Sequence, residues 1–266
     1  MAVTRSLAPA GYLTLAAVDS ALAASSSPSR RRFRMVTKPL LMPALGTAFV
    51  GSLARHDVGG GGVLAGGTVA AQALSGAGDI ALLSKSEPAF LAGLGSFLGA
   101  HVAYTTALVS AGRPLRDRTH LGGVVGATAL FATLAPVIGR AAGGHSARLG
   151  APVVAYAGAI CSMFAASTRL DPQIPVGARR TVVPGTTLFL ASDTLLAARE
   201  FLLPRPQPGV DAAVMVTYTL GQGLIAAGIS QAARSRLTDL GGGGVGPSFP
   251  STVPPAAHPG PSTRVE

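Results

Sequence analysis

Two aspartates stand where a charge is costly. Asp79 ends an apolar run that reads Ser75-Gly76-Ala77-Gly78-Asp79-Ile80-Ala81-Leu82-Leu83, and Asp193 sits in Leu188-Phe189-Leu190-Ala191-Ser192-Asp193. Lys38, His101 and Asp19 are the other ionisable groups inside apolar runs. An Asp or Lys at the centre of a bilayer costs roughly 2.5–3.5 kcal/mol on insertion scales, so such a residue needs a compensating role. Two carboxylates brought close together in a low dielectric cannot both ionise easily: one keeps its proton and the other loses it. That split supplies a general acid and a general base. The competing reading is structural, with Asp79 as half of a buried ion pair, Lys38 being a possible partner.

The remaining polar groups fall on shared helix faces. His101 and Tyr104 are three apart, and Tyr218 and Gln222 are four apart, so each pair lies on one side of a helix. They either bond neighbouring helices or line a polar cavity. Lys38 precedes Pro39, and proline is favoured in a first helical turn. A lysine there either snorkels to the headgroups or binds a phosphate. Asp19, near the end of its run, reads as a cap for that span. Cys161, the single cysteine, excludes an internal disulfide and a multi-Cys metal site, and reads as a small core residue.

These residues need a membrane fold to hold them. Only 12% of the 266 residues are charged and the mean hydropathy is +0.46. Apolar runs cover residues 7–24, 35–53, 63–83, 89–110, 121–138, 149–168, 181–198 and 212–233. Each is near the length a membrane helix needs. The expected fold is all-α: a polytopic bundle of eight transmembrane helices over residues 1–239, with a disordered Gly/Pro-rich tail over 240–266. The first run holds Asp19 and follows only Arg5, so it reads as a span and not as a cleaved leader. Residues 25–34, with their four arginines, and residues 140–148 and 169–180 read as polar loops. Gly95 with Gly99, and Gly122 with Gly126, have the spacing of close helix contacts. The fifth run has no ionisable group and reads as scaffold.

The net charge of +10 comes from arginines in short loops, without a basic helix face or interleaved aromatics. That pattern speaks for topology and lipid headgroups and not for nucleic acid. The Lys/Arg balance between the two ends slightly favours both termini in the cytoplasm. The sequence lacks Gly-x-Ser-x-Gly, His-Glu-x-x-His and P-loop motifs.

Five pieces in order carry a resemblance. They are Thr37-Lys38-Pro39-Leu40, the Gly78–Leu83 stretch, Phe-Leu-Ala-Gly-Leu-Gly-Ser-Phe-Leu-Gly-Ala-His-Val-Ala-Tyr over 90–104, the 184–193 segment Pro-Gly-Thr-Thr-Leu-Phe-Leu-Ala-Ser-Asp, and Tyr-Thr-Leu-Gly-Gln-Gly-Leu-Ile over 218–225. Together, over roughly residues 35–230, the chain resembles the YhhN family of lysoplasmalogenases. The resemblance implies an eight-helix membrane hydrolase that cleaves the vinyl ether bond of a lysoplasmalogen-type lysophospholipid, releasing a fatty aldehyde and a glycerophospho-headgroup. It implies Asp79 and Asp193 as the catalytic pair, Lys38 on the phosphate, and His101, Tyr104 and Gln222 orienting headgroup or water. No metal or other cofactor is required by this residue set. The expected partners are the lysophospholipid and membrane lipid, and the expected location is a bacterial plasma membrane. A competing class is a proton-coupled transporter of a small solute or lipid that uses the same aspartates as proton carriers.

Overall fold

In the computed structural model, residues 4–54, 62–114, 116–118, 121–205 and 207–241 are described. Eight helices follow in order: α1 (Thr4–Ala23), α2 (Pro28–Ala54), α3 (Val63–Ala81), α4 (Glu87–Ser110), α5 (Gly122–His145), α6 (Gly150–Ser167), α7 (Val176–Phe201) and α8 (Pro208–Gly241). Among the described residues there is no strand, only one bridge between Gly112 and Leu170 that ties the α4–α5 loop to the α6–α7 loop. The expected tail lies outside the described residues from 242 on, as does the Gly-rich loop apart from Gly62.

Six helices, α2 and α4 to α8, are long and apolar enough to cross a membrane. The chain is therefore a multi-pass membrane protein. The other two, α1 and α3, fall short in hydropathy because of what they bury. On α3, Thr68, Gln72, Ser75 and Asp79 are all buried, and on α1 Asp19 and Ser20 are. Their polar side chains face the bundle interior, while Val63, Val69, Leu74 and Ile80 of α3 are exposed, as lipid contact requires.

The helix ends depart from the expected loops. α2 opens at Pro28 with Arg31 N–H bonded to the Ser27 carbonyl, so all four arginines of the first loop are helical. α5 runs on to His145, and α7 starts at Val176. The physical reason is that hydropathy reports the hydrocarbon layer, whereas a helix can continue past it. Arg and Ala are strong helix formers, and Arg tolerates the interface by snorkelling.

Helices consecutive in the chain run antiparallel, whereas α4 and α6, which also pack together, run parallel. α1–α2–α3–α4–α6–α7–α8 close into a ring, with α8 back against α1, and α5 packs outside against α6 and α7. α4 and α7 face each other across the ring without backbone contact. Of the two expected glycine pairs only Gly99 meets a neighbour, its Cβ position lying 3.3 Å from the Leu74 side chain, whereas a Cβ on Gly95, Gly122 or Gly126 would meet nothing within 4 Å. The tight seam is α7–α8, where a Cβ on Gly221 would come 2.9 Å from the Gly185 carbonyl oxygen. Gly78 is closely covered too, because a Cβ there would stand 2.5 Å from the Phe97 ring. Spacing alone finds glycines on one face, not the face that meets a neighbour.

Candidate active site

The ring of helices leaves a cavity of about 890 Å³ at the end opposite the start of α1 and the end of α8. Its mouth is built by the α1–α2, α3–α4 and α7–α8 loops through Ser25, Ser26, Ser84, Lys85, Pro204 and Arg205. Lys38, Asp79 and Asp193 line it together. Lys38, Phe97 and Tyr218 each lie ten residues from the mouth end of their helices, roughly 15 Å inward at the helical rise.

A layer of aromatic rings closes the deep end. Phe97 packs edge-on against Tyr218 at 5.9 Å and against Phe189 at 6.5 Å between centroids. Phe189 continues to Tyr218 at 5.4 Å and to His101 at 4.8 Å, and His101 to Tyr156 at 5.0 Å. Edge-to-face pairs are favoured by ring quadrupoles, so the layer is rigid as well as apolar. It also presents two phenols, one to each carboxylate.

Asp79 is 2% exposed. Its Oδ1 lies 3.3 Å from Lys38 Nζ, and its Oδ2 accepts from the Tyr218 hydroxyl at 2.8 Å. Asp193 has different company. Its Oδ2 accepts from the Tyr156 hydroxyl at 2.5 Å and lies 3.1 Å from His101 Nε2. Buried His101 Nδ1 has no hydrogen-bond partner. A bare lone pair is cheaper to bury than an N–H, so the geometry selects the neutral tautomer with its proton on Nε2, donated towards Asp193. One carboxylate thus has a cation beside it and the other has two neutral donors.

The expected site residues separate into two levels. Lys38, Asp79 and Asp193 share the cavity, and His101 backs Asp193. Lys38 is not in a first turn: α2 starts ten residues earlier, and the ammonium turns onto Asp79. Tyr104 and Gln222 sit one turn beneath the rings. The Tyr104 hydroxyl donates to Gln222 Oε1 at 2.5 Å, and Gln222 Nε2 donates to Ser75 Oγ at 3.0 Å. Both side chains are fully buried, and they join α3, α4 and α8 without lining the cavity. Asp19 does not cap its helix. It takes Thr37 at 2.6 Å and Arg34 at 3.3 Å, bracing α1 against the face of α2 that carries Lys38.

The sequence reading missed Tyr156 and left Tyr218 as a helix–helix contact. The chain has four tyrosines and no tryptophan. All four tyrosine hydroxyls are spent on polar partners: Tyr12 bonds the Thr219 carbonyl, and the others are those above. A buried phenol needs a partner, so a tyrosine inside an apolar run was the available signal.

Two further features shape the site. Arg31, Arg32, Arg34, Lys85, Arg199 and Arg205 line the cavity with Lys38. Arg34 is engaged with Asp19, and Arg199 with Asp211 at 2.7 Å and Glu200 at 2.8 Å. The cavity also borders a smaller apolar pocket between α4, α5, α6 and α7, and Asp193 lines both.

Neither the curated proteins nor the solved structures give a match to this chain. The family model described as YhhN matches residues 33–229. That span holds Lys38, Asp79, His101, Tyr156, Asp193 and Tyr218, so the residues at the two carboxylates all lie inside the match, and the chain belongs to the YhhN family.

Proposed function

We propose that this protein is a lysoplasmalogenase-type hydrolase of a bacterial plasma membrane, with all eight helices crossing the bilayer. One observation carries the reading. Two carboxylates with unlike partners, Asp79 buried and Asp193 with its side chain 9% exposed, border the same cavity, which is large enough for a headgroup. Asp79, beside a cation, is suited to be the base, and Asp193, beside neutral donors, to be the acid.

The chemistry then runs as follows. Asp193 gives its proton to the alkenyl carbon two bonds from the ether oxygen. The positive charge left on the neighbouring carbon is shared with that oxygen as an oxocarbenium ion. A water in the cavity adds to that carbon and passes a proton to Asp79, giving a hemiacetal. The carbon–oxygen bond to glycerol breaks. The glycerol oxygen takes the proton from Asp79, and the hemiacetal hydroxyl returns one to Asp193. Aldehyde and glycerophospho-headgroup leave, and both carboxylates are restored. Tyr156 and His101 hold Asp193 in place, and Tyr218 holds Asp79.

Lys38 is committed to Asp79, so the phosphate falls to the cationic mouth. Arg31 and Arg32 on α2, Lys85 and Arg205 supply it. Replacing Arg31 and Arg32 together by Ala should raise KM for lysoplasmalogen by about two- to thirtyfold with kcat little changed, since charge pairs at exposed side chains contribute roughly 0.2–1 kcal/mol each and these are made equally in ground and transition states. An unchanged KM would remove these arginines from headgroup binding.

The test of the reading itself is direct. Purified protein in nanodiscs, given a lysoplasmalogen, should release one fatty aldehyde per glycerophospho-headgroup. The transport alternative predicts no aldehyde and a flux driven by a pH gradient in liposomes. The cavity ends on the ring layer, which favours turnover in place over passage through the bundle.

A further inference from the structure

We infer that the apolar pocket beside Asp193 is a subsite for the first five to seven or so carbons of a single aliphatic chain, and that it selects for shape near the ether and not for total chain length. This rests on the hydrolase reading above for what lies at Asp193.

The pocket is lined by apolar side chains from four helices, among them Leu94, Phe131, Leu134, Ile160 and Leu190. It shares a wall with the polar cavity through Leu82, Phe90, Phe97, Asp193, Leu196 and Glu200. A molecule spanning the junction must be amphiphilic. Its polar end belongs among the arginines, because burying an unpaired charge in the apolar pocket is prohibitive. Its apolar end belongs beside Asp193, because an apolar cavity stays dry and takes hydrocarbon. The bond at the junction is then the one between headgroup and chain.

Size decides the rest. The pocket holds about 70 Å³. A water-sized group needs ~10–15 Å³ on this measure, which leaves room for roughly five to seven chain atoms. A membrane lipid chain is longer, so its remainder lies outside the pocket among the surrounding lipid. Selection therefore falls on the carbons nearest the ether. The same placement turns the alkenyl carbons towards Asp193 and the glycerol side towards Asp79, which matches the acid and base roles assigned above. α5, with no ionisable group in its apolar run, contributes Phe131, Leu134 and Ile138 to this wall.

Cys161 lines the pocket and is the single cysteine of the chain, so it is a built-in reporter. The probes are hydrolysis-resistant 1-O-alkyl lysophospholipids, added to protein in nanodiscs of two-chain phospholipid. Straight chains of twelve and eighteen carbons should slow modification of Cys161 by methyl methanethiosulfonate about equally, by fivefold or more. A chain methylated beside the ether, or glycerophosphocholine with no chain, should not. The same straight-chain lipids should raise the melting temperature of the wild type, and that rise should be lost in Ala157→Phe, whose added ring fills the pocket. Ala157→Leu is the milder substitute if the Phe variant melts early without lipid. Protection by the headgroup alone, or a melting rise kept in the filled variant, would overturn the chain site. Chain-dependent protection in a protein that releases no aldehyde overturns the hydrolase reading and leaves the chain site standing. Aldehyde release without chain-dependent protection does the reverse.

Discussion

Asn in place of Asp193 is expected to lower aldehyde release from lysoplasmalogen by about 10²–10⁴-fold, the usual worth of a positioned general acid. The substitution is nearly isosteric. The amide oxygen can still accept from Tyr156 and His101, so the ring layer and the fold should persist. What is lost is the proton that the alkenyl carbon must receive. Asp79→Asn should fall by a similar factor, and the double variant by little more than either single, because acid and base act on one reaction coordinate. For Asp193→Asn, which breaks no ion pair with a lysine or arginine, unchanged melting and unchanged binding of the alkyl lysophospholipid separate loss of chemistry from loss of structure. Full release in either variant would remove that aspartate from the chemistry.

Lys38→Met is expected to be the most damaging single change to stability. Lys38 is 13% exposed and Asp79 2%, so removal of the lysine strands a carboxylate with only Tyr218 beside it. Breaking a buried pair from one side typically costs about 3–5 kcal/mol. Asp79 can relieve the strain only by taking up a proton, which abolishes it as a base. Lys38→Met with Asp79→Asn should recover most of the stability, since an amide beside Tyr218 is neutral. The measurement is thermal or denaturant unfolding of the two single variants and the double variant. A Lys38→Met protein as stable as wild type would mean the pair contributes nothing to holding α2 on α3. A double variant no better than Lys38→Met would mean that the lysine's stem, not its charge, does so.

The two aspartates were legible because a charge inside an apolar run is visible without any structure. Their partners were not. Tyr156 and Tyr218 count as compatible with an apolar helix, and nothing in the spacing says which hydroxyl turns inward. Lys38 was legible as a residue but not in its role. The run boundary placed it in a first turn, and only the helical continuation back to Pro28 puts it roughly 15 Å inward and within reach of Asp79. Tyr104 and Gln222 share the inward face that the spacing indicated, yet lie one turn too deep to touch a ligand in the cavity. Hydropathy gave the helical class and the order of the helices. It gave neither the ring order, with α5 outside, nor the α7–α8 seam at Gly185 and Gly221, because both depend on which faces meet.

The mouth of the cavity has a consequence for where the products go. Every loop that builds it lies at one end of the bundle, and the rings shut the other. Entry is thus restricted to one end of the bundle, and the hydrolysis proposed above would sort its outputs by solubility. The glycerophospho-headgroup would escape into a single aqueous compartment, while the aldehyde's tail would already lie in the oil. A hydrolysis built this way would also be a partitioning step: it would leave a reactive electrophile in the membrane and deliver a phosphodiester to only one side of it.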